Sequence, residues 1–262
     1  MIHNSSVIDK KAKIGNEVKV GPFCYIGPEV QISDRVELIS NVHIEGDTKI
    51  GKGTKIFPFA SIGTRPQDLK YKGESNSLEI GENNVIREYV TINPGTKGGG
   101  GKTVIGNNCL IMAYSHVAHD CLVGNNCIFS NNTTLAGHVT VGDYVIISGL
   151  TAIHQFCSIG NHAFVTGGSL VRKDVPPFVK AAREPLSYVG INSVGLRRRG
   201  FDSKKIREIQ NIYRLLYQKN YNNSQACEII EAEMEATPER DEILQFIKNS
   251  HRGIMKGYFK SN

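Results

Sequence analysis

Aliphatic residues recur along this chain at every sixth position. The column runs Ile2, Ile8, Ile14, Val20, Ile26, Ile32, Leu38, Ile44, Ile50, Ile56 and Ile62. Glycine follows several of them, at Gly15, Gly21, Gly27, Gly51 and Gly63. The register breaks after Gly63 and returns at Ile80, Ile86 and Ile92. It breaks again, then runs unbroken from Ile105 through Val117, Val123, Leu135, Val141, Ile153 and Ile159 to Val171. A second column lies two residues before the first and is small: Ala12, Cys24, Thr48 and Ala60 early, then Thr103, Cys109, Cys121, Cys127, Thr133, Thr151, Cys157 and Ala163. An α-helix repeats its apolar face every 3.6 residues and an open strand every 2, so neither sustains this period. A coil of short strands does. One large residue per side fills its interior, and one small residue sits near each corner.

The pattern resembles the hexapeptide solenoids, which have three sides and about eighteen residues per coil. That resemblance implies a left-handed parallel β-helix, a winding opposite to the usual crossover rule. The coils are expected over residues 1–177, with loops extruded near 64–78 and 93–103. Loops on a rigid scaffold often carry function. The first holds Arg65-Pro66-Gln67-Asp68-Leu69-Lys70-Tyr71, and the second holds Lys97-Gly98-Gly99-Gly100-Gly101-Lys102. The second fails as a phosphate-binding P-loop. Thr96 stands where the first glycine is required, and a repeat strand rather than a helix follows. It reads as a flexible loop.

Beyond Asp174-Val175-Pro176-Pro177 the period changes, and residues 178–262 are expected to form an α-helical C-terminal domain. Asp202 or Ser203 caps a helix through Ile206, Ile209, Ile212, Tyr213 and Leu216, and Asn223 or Ser224 caps another through Ile229 and Ile230. Thr237-Pro238 has the form of an N-cap followed by a first-turn proline, opening a third helix through Ile243, Leu244 and Ile247. An open solenoid needs a capped end.

Composition adds little to the fold and more to the chemistry. Five of the six cysteines (Cys24, Cys109, Cys121, Cys127 and Cys157) fall in the small column, where a thiol serves as a small hydrophobe. No zinc-binding CxxC spacing occurs. The first residues carry no basic flank or apolar core of a signal peptide, and no apolar run is long enough to span a membrane. A cytoplasmic protein is expected, with no nucleic-acid partner and no cofactor. The net charge is +6, with the basic surplus concentrated between Arg172 and Arg214.

Five of the eight histidines lie between His116 and His162. His119, His138 and His154 are separated by about one coil each, which brings them near one edge. Lone histidines serve equally well on a surface or at an interface; three along one edge point to a site. In Ser115-His116-Val117-Ala118-His119-Asp120-Cys121, Val117 is an interior residue, so His119 lies on the approach to the next corner. Asp120 is placed to orient its ring. A neutral imidazole takes a proton from a hydroxyl near neutral pH.

This stretch is similar to the His-Asp motif of the acyl-carrier-protein-dependent UDP-N-acetylglucosamine O-acyltransferases, the first enzymes of lipid A synthesis. The resemblance covers essentially the whole chain. It extends through Gln67-Asp68-Leu69-Lys70-Tyr71, Thr134-Leu135-Ala136-Gly137-His138-Val139, Ala152-Ile153-His154-Gln155-Phe156-Cys157, Asp174-Val175-Pro176-Pro177 and Gly195-Leu196-Arg197-Arg198-Arg199-Gly200-Phe201. It implies that His119 is the general base for the sugar 3-hydroxyl, supported by Asp120. The hydroxyl then attacks the thioester of an (R)-3-hydroxyacyl chain on acyl carrier protein, without an acyl-enzyme. The Gly137 N–H would face the oxyanion, where one donor is worth ~3 kcal/mol. Gln67, Asp68, Lys70, His138, His154 and Gln155 would line the substrate groove. Asn192, Arg198 and Arg199 would serve the uridine diphosphate. Gly167 matches a position that helps set acyl length, and a glycine there leaves room for a long chain. The basic surface would receive the acidic carrier protein. A homotrimer with sites in the clefts between subunits is expected. Asn93-Pro94 departs from the His-Arg common in the family, Val194 replaces an acidic residue found in some members, and Pro185 replaces a histidine.

The same fold carries other chemistries. The sister N-acyltransferase has a domain ahead of its coils, whereas here the repeat starts at Ile2. An acetyl-CoA-dependent acetyltransferase is disfavoured by the Gly195–Phe201 segment. A γ-type carbonic anhydrase would need three histidines converging on zinc. The spacing of His116 and His119 does not follow that family's pattern.

Overall fold

The computed structural model describes residues 1–219 and 221–257. Each hexapeptide contributes a strand of two residues in most coils, such as Lys19–Val20, Tyr25–Ile26 and Gln31–Ile32. Every third strand pairs in parallel with its counterpart one coil along. His116 and Val117 pair with Thr134 and Leu135, and Leu122 and Val123 with Thr140 and Val141. Among the described residues the result is three parallel faces built on sheets of 9, 8 and 11 strands, the walls of a left-handed β-helix. Ile26, Ile44, Ile62, Ile92, Val117 and Leu135 stack along the axis without exposure. Burying each such side chain contributes about 1.5–3 kcal/mol. The small column lies just past the corners because the backbone turns tightly there; the Cys121 thiol reaches the carbonyl of Ala136 at 3.2 Å.

At most corners one residue, three positions after the interior residue, takes a left-handed conformation. Asp120 (φ 59°), His138 (φ 61°), Phe156 (φ 63°), Tyr144 (φ 58°) and His162 (φ 60°) are examples. Non-glycine residues adopt this region uncommonly, so the repeat itself imposes it. The consequence is that corner side chains stack on a common edge. Asp120, His138 and Phe156 share the edge after the first face. Tyr144, His162 and Phe178 share the edge after the second. The edge after the third carries Tyr89, Tyr114 and Gly168. Both extruded loops leave by the first edge, since they follow Ser61–Ile62 and Thr91–Ile92 on the same face as His116–Val117.

The segment after 178, expected within the helical domain, begins as sheet. Val179–Ala182 pairs in parallel with Phe164–Val165 and extends the third face, and Ser187–Ile191 returns antiparallel. Alternating burial of Val179 and Ala181 favours a strand over a helix here. Among the described residues four helices follow: α1 Ser193–Arg198, α2 Ser203–Gln218, α3 Asn223–Glu233 and α4 Pro238–Lys248. Asp202 and Thr237 are N-caps as the sequence indicates; α3 starts one residue earlier, with Asn222 in a capping box with Gln225. The helix α1, not anticipated, is capped by Asn192. The tail is pinned by Tyr213, whose hydroxyl donates to Pro177 O at 2.6 Å, and by the stacked Tyr188, Tyr213 and Tyr217. Residues 258–262 of the expected domain lie outside the described residues. Among the described residues, no helix is long and apolar enough to cross a membrane.

Helix α4 places Glu242 against Asn161 of the second edge. Burial, aided by the charges of Glu239 and Asp143 and opposed by a hydrogen bond with Asn161, pushes its carboxyl up to about 7 from 4.5. A raised acid favours the folded state while protonated. Its stabilising contribution is complete below 4.5 and is lost as pH rises through about 7. Glu242→Gln is therefore expected to match the wild type in Tm at low pH and to exceed it above neutrality. Thermal unfolding across that pH range checks this; a Tm difference independent of pH contradicts it.

Candidate active site

The first edge gathers the chemistry. The side chain of Asp120 is fully buried (0 % exposed), while that of His119 retains 15 % exposure. His119 Nδ1 lies 2.8 Å from Asp120 Oδ2. An ionised carboxylate only accepts, so Nδ1 carries the proton and Nε2 is left with a free lone pair. Burying a carboxylate is costly unless it is paired. Asp120 meets that demand from two sides, because Thr96 donates its N–H to Oδ1 at 2.8 Å and its hydroxyl to Oδ2 at 2.6 Å. The Asp120 N–H donates to Thr103 Oγ1 at 2.8 Å, which fixes the corner backbone.

The loop carrying Thr96 is therefore not the flexible loop its glycines suggest. Lys97–Gly99 forms a 3₁₀ turn closed by Gly99 N–H to Thr96 O at 3.0 Å and Gly101 N–H to Thr96 O at 2.8 Å. Thr96 is a site residue that its sequence context did not mark. The one available signal was that the insertion leaves by the same corner as His119.

The eighteen-residue register sorts the other candidates. Gly137 is the counterpart of His119 one coil along, and the imidazole lies over it. A Cβ there would sit 2.5 Å from His119 Cε1 and 2.7 Å from Nε2. Glycine at 137 is thus dictated by the ring. Among the described residues its N–H has no hydrogen-bond partner. His138, the counterpart of Asp120, meets His119 edge-on at 5.1 Å and stacks on Phe156 at 4.4 Å. Burial holds His138 below its ordinary value, with the Asp120 charge opposing. His116 is likewise lowered, first by burial and then by His119, and its Nδ1 contacts Thr91 Oγ1 at 2.7 Å. His154 and Gln155 are exposed on the same edge.

The first loop arches beside this pair. A cleft of about 780 Å³ is lined by Asp68, Lys70, Lys72, Gly73, Glu74, Thr96, Lys97, Gly98, His138 and Phe156. Asp68 shapes the loop by accepting from the Lys70 N–H at 2.9 Å. Gln67 is exposed on the same loop.

The remaining candidates lie elsewhere. Asn192, Arg198 and Arg199 belong to the second edge. The Asn192 amide is engaged on both sides, donating to His162 O at 2.9 Å and accepting from Gly195 N–H at 3.2 Å. Arg199 donates to Tyr144 O at 3.0 Å and stacks over the Tyr144 ring. Arg198 is exposed. His162, sandwiched between Tyr144 and Phe178, is lowered to about 4 by burial and then by the nearby Arg199. Gly167 lies on the third edge. One chain thus carries the His-Asp pair and the arginine cluster on different edges.

Nitrogen and oxygen atoms of His119, Asp120 and His138 lie within 4.8 Å of one another, close enough to share a cation. The carboxylate is already held by Thr96 and His119, however, and an imidazole oriented by a buried acid is chemically suited to take a proton from a hydroxyl.

A β-helical prism with such a pair on one edge and a basic helical tail has the architecture of the hexapeptide acyltransferases. The model of the six-repeat bacterial transferase hexapeptide matches residues 102–137, and that of UDP N-acetylglucosamine O-acyltransferase domain 2 matches residues 174–255. The acyl-[acyl-carrier-protein]--UDP-N-acetylglucosamine O-acyltransferase of Thermodesulfovibrio yellowstonii is 47% identical, over 97% of this chain and 99% of that protein. The crystal structure of LpxA, a UDP-N-acetylglucosamine acyltransferase from Bacteroides fragilis, superposes with a TM-score of 0.96 at 48% identity, covering 98% of this chain and 100% of that one. The Arabidopsis UDP-N-acetylglucosamine acyltransferase superposes at 0.87 and 36% identity, covering 98% and 100%. The chain belongs to the family of UDP-N-acetylglucosamine O-acyltransferases. The carbonic anhydrase alternative gains no support from these relatives.

Replacing Gly137 by alanine puts a methyl group where the imidazole lies. The ring is expected to swing off the Asp120 carboxylate, with acyl transfer falling on the order of 10²-fold. A crystal structure of the variant checks this, and an unmoved ring beside the methyl contradicts it.

Proposed function

We propose that this chain transfers an (R)-3-hydroxyacyl group from acyl carrier protein to the 3-hydroxyl of UDP-N-acetylglucosamine, the first step of lipid A synthesis, and does so in the cytoplasm. The observation that carries the reading is the His119–Asp120 pair, its Nε2 left free above Gly137 and beside the cleft under the first loop. Nε2 takes the proton of the sugar hydroxyl as that oxygen attacks the thioester carbonyl. The Gly137 N–H donates to the tetrahedral oxyanion, whose negative charge it meets without reorganising. Collapse breaks the C–S bond and completes the C–O ester. The departing thiolate recovers the proton from the imidazolium, so His119 ends as it began.

No nucleophile on the protein is required. The cysteines are buried, and burial pushes the Cys121 thiol up to about 12, far from a thiolate at neutral pH. Gln67, Asp68, Lys70, His138, His154 and Gln155 are assigned to the sugar and the acyl thioester along the first edge. Gly167 is assigned to the acyl path, where the missing side chain leaves room.

Arg198 and Arg199 suit the uridine diphosphate by their guanidinium geometry, with Asn192 acting through the helix it caps. Their place on the second edge supports a homotrimer. A three-fold arrangement sets one protomer's second edge beside the next protomer's first edge, completing each site from two chains. The basic surface between Arg172 and Arg214 is assigned to the acidic carrier protein.

The test is acyl transfer to UDP-N-acetylglucosamine from 3-hydroxyacyl carrier proteins of several chain lengths, by the wild type and a folded His119→Ala variant. The expected loss in the variant is about 10²–10⁴-fold. Near-native turnover by His119→Ala would remove the residue from the chemistry.

A further inference from the structure

The mechanism above uses His119 and Asp120 but leaves the glycine-rich insertion without a part, although it makes the shortest hydrogen bond to Asp120, from Thr96 Oγ1 at 2.6 Å. Asp120 Oδ2 faces two imidazoles, His119 Nδ1 at 2.8 Å and His138 Nδ1 at 3.9 Å. Nothing in the corner backbone alone decides between them. Thr96 does, because it binds both carboxylate oxygens at once, through N–H to Oδ1 and Oγ1–H to Oδ2. Two donors from one residue fix the plane of a carboxylate, where a single donor would let it rotate about its Cβ–Cγ bond.

We propose that Thr96 is a positioning residue whose two-point hold aims Asp120 at His119, setting which imidazole is paired and how strongly that imidazole holds a proton. The inference rests on the general-base reading for its catalytic consequence, though not for the hold itself.

The rest of the insertion supports this role. A Cβ at Gly99 would overlap the Asp120 carboxyl group, so glycine is needed there for the loop to lie against the acid. Gly100 and Gly101 take positive φ (96° and 79°), which lets the chain turn back at once into Lys102–Ile105. The loop is tied to the base of the first extrusion, where Asn76 Nδ2 donates to Gly95 O at 2.9 Å and Gly95 N–H to Ser77 O at 3.2 Å. Thr96 is itself 4 % exposed and borders the cleft shared with His138 and Phe156. The glycines that imitate a P-loop serve a carboxylate of the protein.

Thr96→Val keeps the shape and the N–H but loses the hydroxyl donor; Thr96→Ser keeps both. A carboxylate with one donor fewer presents more charge to the imidazolium. In Thr96→Val the acid limb of the kcat/KM profile is therefore expected to move to higher pH, and kcat to fall about 10- to 100-fold with KM little changed. The Nδ1 proton resonance of His119, read in the resting enzyme with labelled histidine, is expected to shift in Thr96→Val. Both signatures should return in Thr96→Ser. An Nδ1 resonance and pH profile in Thr96→Val that match the wild type overturn the proposal, as does a Thr96→Ser variant as impaired as Thr96→Val. A shifted Nδ1 resonance with an unchanged pH profile sustains the hold and instead removes His119 from the chemistry, so the two readings fail separately.

Discussion

The return of the chain to the same corner every eighteen residues is the constraint on which the rest of this molecule depends. The interior column enforces it, because a slip of one residue would turn Val117 or Leu135 out of the core and a polar neighbour in. Once the coils are locked, corner residues have no choice of neighbour. Asp120, His138 and Phe156 stack because they are counterparts, and His119 overlies Gly137 for the same reason. The site is assembled by register before any side chain has chosen a partner.

Register alone would leave a buried carboxylate without enough donors. The two insertions supply what the regular coil cannot, and they do so because they leave by the first edge and fold back beside it. The second brings Thr96 to Asp120; the first brings Asp68 and Lys70 to the rim of the cleft. A rigid prism costs little reorganisation when charge develops on the substrate, which is the property the proposed general-base site with its backbone oxyanion donor requires. The helical tail contributes at another edge, where α1 presents Arg198 and Arg199 from a turn built on Asn192, His162 and Tyr144.

Much of this was legible in the sequence because neither an α-helix nor an open strand sustains a six-residue period. The interior column, the cysteines in the small positions, the N-caps Asp202 and Thr237 and the approach of His119 and Asp120 to a corner all follow from local pattern. The hairpin of Val179–Ala182 and Ser187–Ile191 was hidden, since its strands are recruited by the exposed end of the third face rather than by a repeat of their own. Thr96 was hidden because an insertion erases the register that would have placed it. Its glycines suggested freedom, whereas a close approach to Asp120 required them. Asn192 stood out as a ligand-binding residue, yet its amide is first of all a helix cap. The separation of the arginine cluster from the His-Asp pair follows from counting corners, since His162 and Asp120 close different faces.

That separation makes the central claim, a site completed by two chains, open to a direct measurement. His119→Ala and Arg198→Ala chains, each inactive alone, are coexpressed and the mixed trimers assayed for acyl transfer. If one protomer's first edge works with its neighbour's second edge, a random equal mixture restores roughly a quarter of the wild-type sites. If each chain serves its own site, no mixed trimer holds an intact one, and activity stays at the level of the single variants.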